Sequence, residues 1–274
     1  MPKITLNKKD TLKLIGKNIS DKQLSEAIPL MGTDLEHISK NEIEVEIFPN
    51  RPDMLSEEGF ARAMSSFLGI KTGLKTYKVN KSNYKYKVDS KVKSVRPYCT
   101  AAVVKGLKFN KDSLLSLMNL QDKLHTTHGR NRKKVAMGVH DLSKIRFPLT
   151  YTTKPKSFKF RALEDRQEKT IQRILEEHPK GKDYAHLLNK KEVPIWIDAK
   201  DQVLSMPPII NSEETKVTID TKDIFLDLTG TDPIAIDQAL NILVTALVDR
   251  GGKIYSVNNT PNLNPKKIKI NINR

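Results

Sequence analysis

The sequence predicts an α+β protein: a small N-terminal α+β unit over residues 1–85, followed by a larger mixed-sheet α/β unit over 90–260 and a tail over 261–274. Three observations lead to that expectation. A chain of 274 residues has room for one large domain or two ordinary ones, each with its own core. Short apolar or alternating runs, the signature of strands, are interspersed with stretches whose apolar residues recur at i, i+3, i+4 and i+7, the signature of helices. Between the two units the composition shifts, with nine basic side chains against one acid, Asp89, from Lys71 to Arg96.

The elements follow in order. Ile4–Leu6 reads as a first strand, and Ser20–Ile28 as a helix with Ser20 or Asp21 as cap and Pro29 as its stop. Glu42–Phe48 alternates charged and aliphatic residues as a half-buried strand does. Pro49 and Pro52 then impose a turn, Asp53 or Ser56 caps, and Phe60, Ala63, Met64, Phe67 and Leu68 line one helical face that ends at Gly69. Residues 71–96 read as a basic linker and entry strand. AAVVKGLKF, from Ala101, reads as a strand, Ser113–His125 as a helix closed by Gly129, and Val135–Val139 as a strand with His140 and Asp141 at its end. A helix near Lys169–Glu177 is broken by HPKG, and Tyr184–Leu188 is a turn. Pro194–Met206 is a hairpin about Lys200 and Asp201, with strands at Lys216–Ile219 and Asp223–Leu228. Asp232 caps the last helix, Pro233 takes its first position, Ile236, Ala239, Leu240, Leu243 and Leu247 form its apolar face, and Gly251 lies past its end. A strand KIYSV precedes a polar tail that breaks off as a new strand begins, as expected of a chain cut short of a further domain.

Composition excludes several classes. No apolar run approaches a membrane span, and the N-terminus lacks a secretory signal. The single cysteine, Cys99, rules out a disulfide framework and points to a reducing cytoplasm. There is no phosphate-loop motif, no dinucleotide glycine fingerprint and no Gly-x-Ser-x-Gly elbow. His125 and His128 are spaced i, i+3, but neighbouring arginines disfavour a dication, so no metal is assigned. The net charge of +16 favours a polyanion, nucleic acid foremost. Lysine outnumbers arginine 37 to 11, so part of the excess reflects composition. HGRNRKKVAMGVHD is more pointed, since it gathers Arg130, Arg132, Lys133 and Lys134 beside a glycine as candidate phosphate contacts.

The candidate site lies in PPIINSEETKVTIDTKDIFLDLTGTD, from Pro207 to Asp232. Two prolines stiffen its entry, and Asn211, Ser212, Glu213 and Glu214 place amide, hydroxyl and carboxylate groups on a connecting turn. Asp227 and Thr229, at i and i+2, face the same side of an extended chain. Taken alone, such a turn reads first as a solvated loop, and such an Asp-x-Thr also reads as strand-end turn chemistry. His140 is either a donor to substrate or a histidine satisfied by a backbone carbonyl.

The segments PNRPDMLSEEGFARAMSSFLG, RPYCTAAVVKGLKF, LQDKLHTTHGRNRKKVAMGVHDLSKI, EEHPKGKDYAHLL and LSMPPIINSEETKVTIDTKDIFLDLTGTD together resemble the phenylalanyl-tRNA synthetase β subunit of the archaeal and eukaryotic cytosolic type. The resemblance covers almost the whole chain and only the N-terminal part of such a subunit. It implies that 90–260 is an editing domain that hydrolyses tyrosine misattached to tRNA(Phe), with aminoacylation sited in the α subunit. ATP and Mg2+ then serve the parent ligase and no cofactor serves this portion. The expected partners are tRNA(Phe) and the α subunit, in an α2β2 heterotetramer of the cytoplasm. The resemblance further implies that Asp227 and Thr229 hold the substrate and orient water, that Ser205, Asn211, Ser212 and Glu213 line the same cleft with His140 close by, and that Arg130, Arg132, Lys133 and Lys134 steer the tRNA acceptor end. Two other readings remain open: a non-catalytic tRNA-binding or assembly scaffold, and a free-standing trans-editing hydrolase.

Overall fold

Capping residues set the first layer. In the computed structural model, which describes residues 2–188 and 190–260, β1 (Lys3–Asn7) passes directly into α1 (Lys8–Ile15). The Asn7 side chain accepts from the Asp10 amide and Gly16, at φ 85°, closes the helix. α2 (Asp21–Leu30) begins at Ser20, in a capping box with Gln23. Pro29 does not stop it: the proline sits in the last turn, where the Met31 amide still reaches the carbonyls of Ala27 and Ile28. β2 (Asp34–Ile38) and β3 (Glu42–Glu46) complete an antiparallel sheet of order β1-β3-β2. Neither α1 nor β2 is evident in the sequence, because α1 buries only Thr11 and Ile15 and β2 has no buried residue. Ser56, accepting from the Gly59 amide, caps α3 (Glu57–Phe67), while Asp53 is occupied by Arg51 at 2.9 Å.

The basic stretch is more than a linker. It contributes β4 (Val79–Asn80) and β5 (Lys85–Val88) to two different sheets, and in β5 Lys85 and Lys87 turn outward while Tyr86 is buried between them. β6 (Tyr98–Lys105) starts before Ala101 and ends at Gly106, whose φ of 76° turns Leu107–Phe109 out of the strand. α4 (Lys111–Thr126) is capped by Asn110, and β7 (Val135–Asp141) takes His140 and Asp141 inside the strand. β8 (Leu149–Pro155), Thr-rich and without an apolar run, is not evident in the sequence. β9 (Lys159–Phe160) and β10 (Lys169–Thr170) form a small ribbon. HPKG ends α5 (Ile171–Glu177) and also starts α6 (Pro179–Tyr184), since the His178 ring accepts from the Lys180 amide and Pro179 fills the first helical position.

β11 (Glu192–Ile197) and β12 (Val203–Met206) are the expected hairpin, extended by β13 (Ile210–Asn211). Lys216–Ile219 is not a strand. Glu213–Thr215 forms a 3-10 turn, and just beyond it the Thr218 amide donates to Thr221 Oγ1 at 3.0 Å while the Thr221 amide donates to the Thr218 carbonyl at 3.1 Å. β14 (Ile224–Gly230) runs on through the Asp-x-Thr, which is therefore mid-strand and not at a strand end. α7 (Pro233–Asp249) is capped by Asp232, and β15 (Lys253–Ser256) and β16 (Asn258–Thr260) follow. The expected tail, 261–274, lies outside the described residues. Among these residues no helix is long and apolar enough to cross a membrane.

The larger unit is thus mixed α/β, with a five-stranded sheet of order β4-β15-β6-β14-β7 and a six-stranded one of order β13-β12-β11-β8-β5-β16, each joining parallel and antiparallel pairs. Tyr86, Val103, Tyr151, Trp196 and Phe225 form the core between the sheets, and Ile171, Ile174, Ile195 and Ile209 a second core outside the six-stranded sheet. The third core is continuous across the chain. It joins Ile4, Ile43, Phe60 and Met64 to Leu117 and Leu120 of α4, Leu226 of β14 and Leu243 of α7. A polar seam reinforces it: Ser116 donates to Glu57 at 2.6 Å, and Arg250 reaches both Asp10, at 2.7 Å, and Glu58. Trp196 is central to the inter-sheet core, stacked on Tyr151 at 5.0 Å and edge-on to Phe225 at 6.1 Å. Trp196→Ala is expected to lower the unfolding free energy by about 3–5 kcal/mol in urea titration, and Trp196→Phe, which keeps an aromatic ring, by less.

Candidate functional site

All seven residues of β14 are buried, so its two faces meet different partners. Ile224, Leu226 and Leu228 face the continuous core, while Phe225, Asp227 and Thr229 face the six-stranded sheet. A carboxylate in that position needs partners. Asp227 Oδ2 accepts from His140 Nε2 at 2.7 Å and from Ser205 Oγ at 3.1 Å, and His140 Nδ1 is 2.8 Å from Thr215 Oγ1. Thr215, His140, Asp227 and Ser205 thus form one hydrogen-bonded chain, each member fully or almost fully buried. Ser205 reaches this face opposite Trp196, where a register shift between Trp196 and Ile197 kinks the β11–β12 ladder.

Gly138 lies directly across the ladder from Asp227. A Cβ there would stand 2.4 Å from Asp227 Oδ2, 2.5 Å from His140 Nε2 and 3.1 Å from Asn211 Oδ1. Only glycine leaves room for those three groups to converge. Beside them opens a cavity of about 400 Å³, reached by Asp227, Ser205, Asn211, Gly138 and Arg132, with Met118, Met137, Val139 and Ile209 in its apolar wall. It follows the outer edge of β7, where the Met137 amide donates to His125 Nε2 at 2.9 Å, Gln121 donates to the Met137 carbonyl at 2.7 Å and Asn211 donates to the Val139 carbonyl at 3.3 Å.

The turn between α4 and β7 is strained. Arg130, Asn131 and Arg132 have φ of 49°, 51° and 66°, three consecutive non-glycine residues in the left-handed region, each costing on the order of 1 kcal/mol. Arg96 holds them there. Its guanidinium donates to the carbonyls of Arg132, Lys133 and Thr229 at 3.0, 3.2 and 2.8 Å and to Thr229 Oγ1 at 2.8 Å, and its own carbonyl accepts from Tyr151. Burial pulls the Arg96 pKa down to about 10, so it remains charged. Thr229 accordingly shares a face with Asp227 but serves Arg96; it does not line the cavity.

The other expected residues divide. Arg132 is buried, donates to the carbonyls of Pro208 and Ile209, at 3.3 and 2.7 Å, and stacks 4.4 Å over the Tyr184 ring, so it walls the cavity instead of presenting a phosphate contact on the surface. Arg130 and Lys133 lie at the surface of the same turn, and Lys134 pairs with Asp232 at 3.0 Å. Ser212 is buried as the cap of its turn. Glu213 sits outside the cavity; burial opposes its charge, but the Glu164 amide and Lys216 draw its pKa below the ordinary carboxylate range. His125 and His128 serve different partners, Met137 and the Ala235 carbonyl. Sequence reasoning missed Gly138, Arg96, Gln121 and the role of His125. Only Arg96, an arginine in a lysine-rich stretch, carried any signal.

Such an arrangement can bind an aromatic or aliphatic group in the apolar part of the cavity and present a buried carboxylate to a cation or a water at its polar end. Ser205 Oγ donates to the carboxylate oxygen that also accepts from His140 and makes no hydrogen bond to an imidazole among the described residues, so this is not the arrangement of a serine nucleophile and its base.

Residues 82–246 match the B3/4 domain family. The chain is 45% identical to the phenylalanine–tRNA ligase beta subunit of Archaeoglobus fulgidus over 99% of its own length and 51% of that protein. It is 46% identical to that of Methanothrix thermoacetophila over 94% and 48%. It therefore spans about half the length of these curated relatives. A crystal structure of an N-terminal fragment of the phenylalanyl-tRNA synthetase beta-subunit from Pyrococcus horikoshii superposes with a TM-score of 0.90 at 41% identity, over 97% of this chain and 81% of that one.

Gly138→Ala is expected to lose about 1–3 kcal/mol of stability by overpacking and to shift the His140 ring resonances in NMR, while Ala136→Val, on the same strand, leaves those resonances in place. A pH dependence follows from His125, whose pKa lies well below the usual 6.5 through burial first and the charges of Arg132 and Arg96 next. The unfolded chain binds a proton there that the folded chain refuses. Stability from the neutral ring is thus complete above pH 6.5 and lost as pH falls, by up to about 1.4 kcal/mol per pH unit. Unfolding midpoints measured from pH 7 to 4.5 should show that slope, flattened in His125→Gln.

Proposed function

We propose that this chain, which belongs to the phenylalanyl-tRNA synthetase β-subunit family and carries its B3/4 domain, hydrolyses the ester of tyrosine misattached to tRNA(Phe). The observation that carries this reading is the apolar cavity of about 400 Å³ ending on the buried Asp227. The need for such an activity is physical: an apolar pocket built for phenylalanine cannot strongly reject an analogue that only adds a hydroxyl. A second pocket that favours the hydroxyl restores the discrimination.

An aminoacyl ester is already activated, so positioning and electrostatics suffice. In this reading Asp227 takes the substrate's α-ammonium or a water as hydrogen-bond donor, with His140 and Ser205 fixing the carboxylate and Thr215 fixing His140. Gly138 lets the ester approach the carboxylate. Asn211 stands at the same wall. Thr229 acts through Arg96, as a positioning residue. Arg130 and Lys133, on the exposed part of the strained turn, meet tRNA phosphates. Glu213 and Ser212 shape the β13 turn and take no direct part.

The wider assignments rest on the family. The parent is the cytoplasmic phenylalanine–tRNA ligase, its partners tRNA(Phe) and the α subunit in an α2β2 assembly. The ATP and Mg2+ of aminoacylation act elsewhere in that enzyme, and no residue of this chain is assigned to them. Purified chain is to be offered tyrosyl-tRNA(Phe) and phenylalanyl-tRNA(Phe). Preferential release of tyrosine is expected, reduced by about 10²-fold or more in Asp227→Asn. Binding of both tRNAs without turnover would overturn the hydrolase reading in favour of a scaffold.

A further inference from the structure

A second cavity, of about 340 Å³, opens where the segment after β3 meets the strained turn between α4 and β7. Phe48, Pro49 and Pro52 lie on one side of it and His128, Arg130 and Lys134 on the other. Its charge sets it apart. The cavity beside Asp227 also has Asp122 and Glu164 in its wall, the cleft at Asp141 has Asp220 and Asp223, and the cleft at Asp249 has Glu58. Here two cations line the space and, among the described residues, no carboxylate does.

The polar side is open to a ligand. The left-handed turn sends Arg132 into the fold and leaves Arg130, at φ 49°, exposed. The Arg130 guanidinium has no hydrogen bond or ion pair among the described residues, so its five donors are free for an anion. Lys134 pairs with Asp232 at 3.0 Å, but that carboxylate also accepts from the Ile234 and Ala235 amides at the start of α7, where the helix dipole offsets part of its charge. His128 Nε2 donates to the Ala235 carbonyl at 2.9 Å, which leaves Nδ1 of the neutral ring as an acceptor. The facing side is apolar. Phe48 is half-buried and belongs to none of the three cores, and Pro49 and Pro52 stiffen the chain around it. A bare anion would leave the Phe48 ring uncovered, and a purely apolar group would leave the guanidinium unpaired. A ligand that joins a planar ring to a phosphate through a hydroxylated sugar satisfies all three groups.

We propose that this cleft binds a nucleotide, with its base stacked on Phe48, its phosphate on Arg130 and Lys134, and a ribose hydroxyl donating to His128 Nδ1. The recognising chemistry is the same for a free nucleotide and for one unstacked residue of an RNA chain. This extends the phosphate contact assigned to Arg130 and is independent of hydrolysis at Asp227.

Binding to the purified chain is followed by NMR, with UMP, uridine, inorganic phosphate, the trinucleotide UpUpU and the dipeptide Glu-Phe as probes; uracil serves because a stacking face tolerates any base. UMP is expected to shift the Phe48 ring, the His128 ring and the Arg130 Nε–H together, with uridine and phosphate each binding at least about 10-fold more weakly. Arg130→Asn, a residue suited to the left-handed position, should weaken UMP by about 10- to 100-fold and leave uridine unchanged. Phe48→Leu should weaken UMP and uridine by about 5- to 100-fold and leave phosphate unchanged. UpUpU binding about 10-fold or more tighter than UMP identifies RNA as the source, and equal or weaker binding identifies a free nucleotide. Glu-Phe binding as tightly as UMP would overturn the assignment, as would UMP shifts confined to residues outside the cleft, or no saturable shift with any probe. The wild-type titration needs no variant that folds. Deacylation is measured in no arm, so failure of the hydrolase reading leaves this result standing, and the reverse.

Discussion

A carboxylate in the middle of a strand buried on both faces is the constraint around which this molecule is arranged. Asp227 is almost wholly buried, so hydrogen bonds must come to it. Two elements supply them or make way for them: β7 brings His140 and omits a side chain at Gly138, and β12, kinked at the Trp196–Ile197 register shift, turns Ser205 inward. The two strands belong to different sheets. The approach of the two sheets at this end of the sandwich, and the cavity beside β7, follow from the need to enclose one charged group without isolating it.

A second buried charge, Arg96, which meets β14 at Thr229 two residues along from Asp227, does structural work of a different sort. Arg96 spends its donors on three backbone carbonyls and one hydroxyl. Carbonyl oxygens neutralise a guanidinium less completely than a carboxylate does, yet they give it four fixed directions. That geometry suits a clamp on a turn better than an ion pair. The positive charge of the chain therefore occurs in two settings. Arg130 and Lys133 remain at the surface, while Arg96 and Arg132 are withdrawn into the fold as rigid donors.

Sequence reasoning could see those features that depend on near neighbours in the chain. The caps at Ser20 and Asp232, the hairpin around Asp201, and the shared face of Asp227 and Thr229 are all local relations, and all are present. It could not see what depends on how distant segments close. Pro29 looked like a stop because the sequence does not reveal that the Met31 amide still finds two carbonyls. Gly138 looked like any glycine in an apolar run, since its necessity exists only once β14 and β13 lie against it. Lys216–Ile219 alternated like a strand but had no neighbour to pair with, and Thr218 and Thr221 turned it back on itself. The i, i+3 spacing of His125 and His128 is visible in the sequence, but the partner of His125 is the amide of Met137, across a turn.

The pairing of β4 with β15 and of β5 with β16 joins residues 79–87 to residues 254–260. Neither sheet of the larger unit can be completed until the chain has been synthesised to that point. At about 5–20 residues per second on the ribosome, the first strands of the unit wait on the order of ten seconds for their last partners. The interval must be covered by something, and the basic, tyrosine-bearing stretch is well made for it: with a lysine every two to four residues it stays hydrated and self-repelling while it waits. The same lysines that suggest an affinity for nucleic acid thus also keep a nascent, unpaired edge from pairing with the wrong chain.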